Sequence, residues 1–496
     1  MVKSILFGGK AGQGPNILTQ LIGEALVKQG YYVFYSRDYQ SLIRGGHNFN
    51  VLTFSRFPIS SNESKVDLIV ALDENTVKIH KKELKEKGEI LTGDKDNIYF
   101  AGALFKIMCL EFSLLEQELK KLRNFDENLK SAKKGFSEEK RKIKINVPKL
   151  KNDRNFMNGS QGIAEGAIKS GLDIYYAYPM TPATPLMFEL APKQKDNNFI
   201  ILELENEIAV INSALGSAMT GAKSMIGTSG GGFDLMTEAF SMAGMAEIPI
   251  VCYLASRPGP STGIATYTGQ GDLQLARHCG HGEFFRIVLA PGDVIESEEL
   301  TSQAFYLSQK YKVPSIILSD KHLAESFYTF SEKANITHSE KSTKLMRYNS
   351  YEHNETGEAV EDSAGIIKGV ERRQKVKKLV EKDAEKFSMY KIYGNKNSKN
   401  VILSYGSTKG AILDAIKEVD VKFIQILYIE PFPDIEKEMK NIKKILLVEN
   451  SATGMLADVI MEKTGIKIED KNKILRCDGR PFFYDELNKE IGKRLK

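Results

Sequence analysis

The sequence predicts an α/β protein of three domains built on mostly parallel sheets, and three observations carry that reading. At 496 residues the chain exceeds one ordinary domain and suggests about three. Strand, loop and helix patterns alternate in three separate regions, the arrangement that builds parallel sheets with helices on their faces. Between strand and helix the turns are crowded with glycine, proline and small hydroxyl residues.

The first region, 1–140, opens with the strand pattern SILFGG, the turn GGKAGQG (8–14) and a helix through Ile17, Leu18, Leu21, Ile22 and Ala25. Amides at such a helix start can hold an anion. The glycines Gly9, Gly12 and Gly14 have the spacing G-x-x-G-x-G, not the G-x-G-x-x-G of a dinucleotide fingerprint, so a plain tight turn explains them equally well. YSRDYQSLIRGGHN (35–48) places Arg44 with Gly45 and Gly46 on a predicted loop, where a surface turn is the simple reading. Residues 141–156 form a charged linker, within a Lys-, Glu- and Asn-rich stretch from 115 that reads as a solvated helix and connection.

The central region, 157–344, holds four signatures that packing alone would not require: IYYAYPMTPATP (174–185), LELENEIAVINSALGSAMTGAKS (202–224), MIGTSGGGFDLMTEA (225–239) and SRPGPSTGIATYTGQGDL (256–273). In the second, Glu203, Glu205 and Glu207 precede Ile208, Ile211, Leu215 and Met219, one apolar face of a helix. Acidic residues there commonly just complement the helix dipole. Ala209, Ala214, Gly216, Ser217 and Ala218 leave room for another backbone or a cofactor to come close. Prolines on either side of Thr181 hold its backbone rigid, although a simple turn would also use them. Arg257 sits in a stiff loop, where its fork suits a carboxylate. TSGGGFDLM (228–236) lacks the lysine of a phosphate loop. His278, Cys279 and His281 lack a fourth nearby ligand, so no metal is expected in this chain.

Residues 345–399 read as a connecting segment with a charged helix through Ile366, Ile367, Val370, Leu379 and Val380. The third region, 400–496, alternates VILSYGS (401–407), a helix from Lys409 to Ile416, KFIQILYIEPFP (422–433), KKILLVENS (443–451) and a helix from Gly454 to Lys463. Tyr405 and Glu449 are packing or capping candidates within it.

GSQGIAEGAIKSG (159–171), YPMTP (178–182), ELENEIAVINSALG (203–216), TSGGGFDLM and RPGPSTGIATYTGQGDL follow one another in the order found in the alpha subunit of 2-oxoacid:ferredoxin oxidoreductases, and the chain resembles that family. The resemblance implies that the central region is a thiamine diphosphate-binding domain of the pyrimidine type. It makes Glu207 the catalytic acid at the aminopyrimidine, with Glu205 as the fallback. It further implies that Thr181, Arg257 and Thr266 bind substrate, and that Tyr178, Pro179, Thr228, Ser229 and Gly230 line the cofactor ring. Residues 1–140 resemble the family's gamma domain fused ahead of the alpha domain, with Gly12, Gly14, Arg44, Gly45 and Gly46 covering the active site or facing coenzyme A. The last region resembles a transketolase C-terminal-type domain. Met180, Ser160, Gly231 and Ala265 stand where the family commonly has Ile, Asn, Pro and Pro.

The chain has no GDG metal-binding motif, since GQGD (269–272) and CDG (477–479) do not fit it. The resemblance therefore assigns magnesium, the diphosphate grip and an iron–sulfur cluster to a separate beta subunit, in a dimer of heterodimers. The implied activity is oxidative decarboxylation of a 2-oxo acid with coenzyme A, electrons passing to ferredoxin or flavodoxin. The fused layout favours 2-oxoglutarate over pyruvate. A non-oxidative thiamine enzyme, either a decarboxylase or transketolase-like, and a scaffold that has kept only the fold are the alternatives. A net charge of +5 without clustered Arg and aromatics argues against nucleic-acid binding. Four scattered cysteines without a CxxC pair and no apolar run of about 18–20 residues fit a cytoplasmic protein off the membrane.

Overall fold

Runs of β-branched and aromatic residues bounded by glycine turns become the strands of three sheets. The structure is a computed structural model that describes residues 2–40, 46–141, 154–341 and 348–495. The predicted linker 141–156 and the predicted Arg44 and Gly45 lie largely or wholly outside the described residues. The chain forms two compact units. One is Met1–Met157 with Ser326–Glu332 and Phe483–Asn488; the other is Asn158–Glu325 with Lys333–Phe482 and Lys489–Lys496.

The first unit is built on a seven-stranded mixed sheet in the order Leu84–Thr92, Val66–Ala71, Val2–Lys10, His47–Ser55, Tyr32–Asp38, Phe327–Phe330 and Asn155–Asn158. Its first three strands are parallel, and His47–Ser55 runs antiparallel to both of its neighbours. The helices Pro15–Lys28 and Asn97–Ile107 close its core through Leu18, Leu21, Ile22, Phe100 and Leu104. Ile17, expected on that helix face, is 45% exposed, because Pro15 at the first turn starts the helix so that Leu18 and not Ile17 faces the sheet.

The second unit holds two sheets. The central one runs Tyr428–Glu430, Ile287–Leu289, Pro314–Asp320, Ile250–Ser256, Ser224–Thr228, Ile174–Ala177 and Ile200–Glu203. All are parallel except Tyr428–Glu430, which pairs antiparallel with Ile287–Leu289. Ile250–Ser256 and Pro314–Asp320 are buried at every residue, as strands covered on both faces must be. On one face the helices Gly159–Lys169 and Val294–Tyr311 cross closely, since a Cβ on Gly162 would stand 2.6 Å from the Val294 carbonyl oxygen. The other sheet runs Tyr390–Gly394, Lys422–Ile426, Asn400–Tyr405, Lys444–Glu449 and Lys473–Leu475, and is parallel beyond its first pair.

Two readings of this unit change. The connecting segment 345–399 contains the long helix Ser363–Ala384 as expected, but its end, Tyr390–Gly394, is an edge strand of the last sheet. KFIQILYIEPFP is two strands, not one, and they belong to different sheets.

A buried ionic network ties these sheets together. Lys409 bonds Glu296 at 2.6 Å and also Asp293, while Gln425 donates to Glu296 at 2.6 Å and Lys391 to the same carboxylate at 3.1 Å. Burial alone would raise the Glu296 pKa, yet the two lysines hold it down at about 2.

Candidate functional site

The central sheet presents four adjacent parallel strands, Ile250–Ser256, Ser224–Thr228, Ile174–Ala177 and Ile200–Glu203, and the sequence signatures begin where these strands end. Ligands of open parallel sheets bind along that carboxyl edge, where successive loops and helix starts converge. Tyr178–Pro182 follows one strand, Ser229 and Gly230 another, Arg257–Pro260 a third, and the turn into Glu207 the fourth.

Glu207 is the first residue of the helix Glu207–Met219, which Asn206 caps by accepting from the Ala209 amide at 2.8 Å. That cap fixes the first turn and turns the Glu207 side chain inward, leaving it 4% exposed. Its carboxylate has no hydrogen-bond partner among the described residues. The wall facing it belongs to the next helix, Gly230–Met245. A Cβ on Gly232 would lie 2.7 Å from Glu207 Oε1 and 2.3 Å from Thr228 Oγ1, so only glycine lets the three elements meet. Glu205, the fallback, is exposed.

The helix turns differently from the sequence expectation. Val210, Ile211, Ala214, Leu215 and Ala218 are buried, whereas Ile208 is 53% exposed. Once Glu207 is drawn inward, its neighbour Ile208 must face out, and small Ala214 and Ala218 complete the inner stripe.

Arg257 and Thr181 meet, through the backbone: Arg257 Nη1 donates to the Thr181 carbonyl at 2.7 Å. Arg257 has no carboxylate partner at bonding distance among the described residues, and its buried Nε has no partner. Burial lowers its pKa, which Asp272 opposes. Thr266 lies on the same loop as Arg257 and is 4% exposed. Thr228 and Ser229 are fully buried, the Ser229 hydroxyl without a partner among the described residues, while Tyr178 is 39% exposed and Pro179 is exposed.

A cavity of about 660 Å³ opens beside this edge, walled by Gly230, Arg257, Gly259, Asp272, Asn450 and Cys477 among others. Glu207, Thr181 and Thr266 are not on its wall. Asp272, dismissed in the sequence as part of a failed GDG match, is a candidate that motif matching missed. Its carboxyl lies where a Cβ on Gly230 would meet it at 2.7 Å, one oxygen has no partner among the described residues, and burial raises its pKa. The signal available in the sequence was a lone acid after two glycines in GQGD.

In the first unit the two glycine motifs come together. Lys10 pairs with His47 across antiparallel strands, and the Ala11 amide donates to the Gly46 carbonyl at 3.3 Å. Gly12, Gly14 and Gly46 all have positive φ, and Gly14 caps the helix Pro15–Lys28. Among the described residues no group of three or more His, Cys, Asp or Glu side chains could hold a metal ion.

Two family models match the chain. "Pyruvate flavodoxin/ferredoxin oxidoreductase, thiamine diP-bdg" covers residues 165–391, and "Pyruvate ferredoxin/flavodoxin oxidoreductase" covers residues 4–123. The 2-oxoacid:ferredoxin oxidoreductase alpha subunit of a Sulfolobus species is 28% identical over 99% of this chain and 97% of its own length. The 2-oxoglutarate synthase subunit KorA of Methanocaldococcus jannaschii is 30% identical over 68% of this chain and 98% of its own length. The chain belongs to the 2-oxoacid:ferredoxin oxidoreductase alpha-subunit family. The fold agrees: the 2-oxoglutarate:ferredoxin oxidoreductase of Magnetococcus marinus, solved with 2-oxoglutarate, coenzyme A and succinyl-CoA bound, superposes with a TM-score of 0.89 at 24% identity, covering the whole of both chains. At the carboxyl edge of the central sheet, Ser229 Oγ, Arg257 Nε and one oxygen of Asp272 are buried without a partner among the described residues.

Proposed function

We propose that the chain is the alpha subunit, with a fused N-terminal gamma domain, of an enzyme that oxidatively decarboxylates a 2-oxo acid with coenzyme A and passes the electrons to ferredoxin or flavodoxin. The domain limits that accompany this reading are 1–140, 157–344 and 400–496, with 2-oxoglutarate the favoured substrate and pyruvate the other. The observation that carries the proposal is Glu207, a carboxylate 4% exposed and without a hydrogen-bond partner among the described residues, against a wall that a methyl group on Gly232 would fill.

Burying an unpaired acid is costly unless something completes it. An aminopyrimidine nitrogen is a suitable complement, so this chain's residues fit thiamine diphosphate on the side where its ring would lie. When bound, that cofactor supplies a carbon nucleophile and an electron sink for decarboxylation. Glu207 holds and shares the proton at the ring nitrogen. Thr228, Ser229 and Gly230 form the wall beside it, and Tyr178 and Pro179 the rim. Arg257, anchored on the Thr181 carbonyl, has the rest of its fork available to orient the substrate carboxylate, with the Thr181 and Thr266 hydroxyls as further donors. Magnesium, the diphosphate grip and the iron–sulfur cluster belong in this reading to the beta subunit, with which the chain forms a dimer of heterodimers.

The test is 2-oxo-acid-dependent dye reduction by the chain purified with its beta subunit. Glu207→Gln keeps the shape but removes the ionisable carboxyl group, and should abolish turnover while the subunits still co-purify. Undiminished turnover moves the proton-sharing role to another residue.

A further inference from the structure

Away from the carboxyl edge, the second unit has a cavity of about 320 Å³ whose wall includes Arg277, Arg286, Lys377 and Lys463. That volume is at the small end of ligand sites. Its acids are largely engaged. Arg277 Nη2 bonds both oxygens of Glu462 at 2.8 Å, and Lys463 bonds Glu430 at 3.0 Å. Glu283 also lines the cavity but is exposed to solvent. Arg373, also on the wall, is matched by Glu352 at 2.8 and 2.7 Å.

Arg286 is different. It is 9% exposed, yet no carboxylate bonds it among the described residues. Its two terminal nitrogens donate to the backbone carbonyls of Arg277 and Phe284, and its guanidinium lies 4.0 Å from the Phe284 ring centroid. Carbonyl dipoles and an aromatic face orient a cation but leave its full charge in place. Lys377, on the helix Ser363–Ala384, has no ion-pair partner among the described residues either. Two unmatched cations from different elements thus border one small cavity. A guanidinium with unused N–H groups beside an ammonium is the donor set that suits the oxygens of a compact dianion.

We propose that this cavity binds a phosphate group through Arg286 and Lys377. The bound anion joins the loop carrying Arg286, the helix Leu273–His278 below it, the helix Ser363–Ala384 and the helix Met455–Thr464 that supplies Glu462 and Lys463. It completes the charge balance of a junction that this chain's own acids leave positive. The shared chemistry is the phosphate dianion, whether free or as the terminal group of a small phosphate monoester.

The experiment titrates the full chain, co-purified with its beta subunit, with inorganic phosphate and in a separate arm with glycerol 3-phosphate. Thermal midpoint and ³¹P line width are followed, and sodium chloride at matched ionic strength is the control. Saturable broadening and a rise in midpoint beyond the salt control are expected. Lys377→Glu, a half-exposed position without a partner, should fold normally and weaken phosphate at least about tenfold, as loss of one charge-assisted contact does. Arg286→Met should do the same. A monoester that binds more tightly than free phosphate identifies an organic ligand, and equal affinity identifies phosphate itself; both support the site. Binding by Lys377→Glu equal to wild type, or a midpoint shift that sodium chloride reproduces in full, overturns the proposal.

Discussion

Replacing Gly232 with alanine tests the geometry around Glu207 without removing any polar group. The new methyl would stand 2.3 Å from Thr228 Oγ1, 2.7 Å from Glu207 Oε1 and 2.9 Å from Glu207 Cγ, all well inside contact distance. Gly232 has no positive φ, so the backbone accepts alanine, and the helix gains up to about 1 kcal/mol from the better helix former. Overpacking costs about 1–3 kcal/mol. The net loss of stability should therefore be about 0–3 kcal/mol, a fall of only a few degrees in thermal midpoint. Thr228 is fully buried in a strand and cannot retreat, so the end of the Glu207 chain must move instead. A displacement of about 1 Å at a reacting group costs on the order of a hundredfold in rate. The expected result is 2-oxo-acid-dependent dye reduction down by about that factor in a variant that is folded and assembled. Gly492→Ala is the matched control: its Cβ would meet nothing within 4 Å, so stability should rise by up to about 1 kcal/mol with activity unchanged. A Gly232→Ala enzyme within about threefold of wild-type rate, well short of that hundredfold, would refute the placement of the Glu207 carboxylate at the reacting centre.

Other perturbations check separate parts of the structure. Arg257→Ala should raise the KM for the 2-oxo acid about tenfold to a hundredfold, as loss of a charged hydrogen bond does, and an unmoved KM contradicts its role on the carboxylate. Lys409→Met takes the nearest cation from the buried Glu296 carboxylate, leaving it Lys391 and Gln425, and should destabilise by about 3 kcal/mol in urea unfolding; a loss under about 1 kcal/mol would mean those two partners suffice. Burial, with Lys321 beside it, pushes the His322 imidazole down to about 3, so it is neutral in the fold while the unfolded chain protonates near its ordinary value. Its contribution is thus complete above about pH 6.5 and is lost as pH falls towards 3, at about 1.4 kcal/mol per unit. Between about pH 6.5 and 4.5 His322→Gln should flatten the decline in thermal midpoint by the equivalent of about 2–3 kcal/mol, and an unchanged slope would assign the acid sensitivity to other groups.

The strand-end signatures were legible because they are local. YPMTP, NEIA and SGGG each occupy a few consecutive residues at a strand-to-helix turn, and the parallel sheet then brings those turns side by side. What sequence reading missed depends on distant partners. Ile208 fitted the helical period as well as Val210, and only the inward turn of Glu207 decides between them. Asp272 matters because Gly230, far away in sequence, leaves space for its carboxyl. KFIQILYIEPFP is apolar at most positions and its few polar residues follow no alternation, so no periodicity marks where one sheet takes over from the other.

The passage of that segment from one sheet to the next limits how the protein can be dissected. Cutting the chain near residue 399 would seem to free a self-contained central domain, but it would also remove Tyr428–Glu430 and bare the flank of Ile287–Leu289. A fragment truncated there would expose unpaired backbone along an apolar border, an invitation to stick to its own copies. Expression trials that keep everything through Glu430 should yield more dispersed material than those that stop before it.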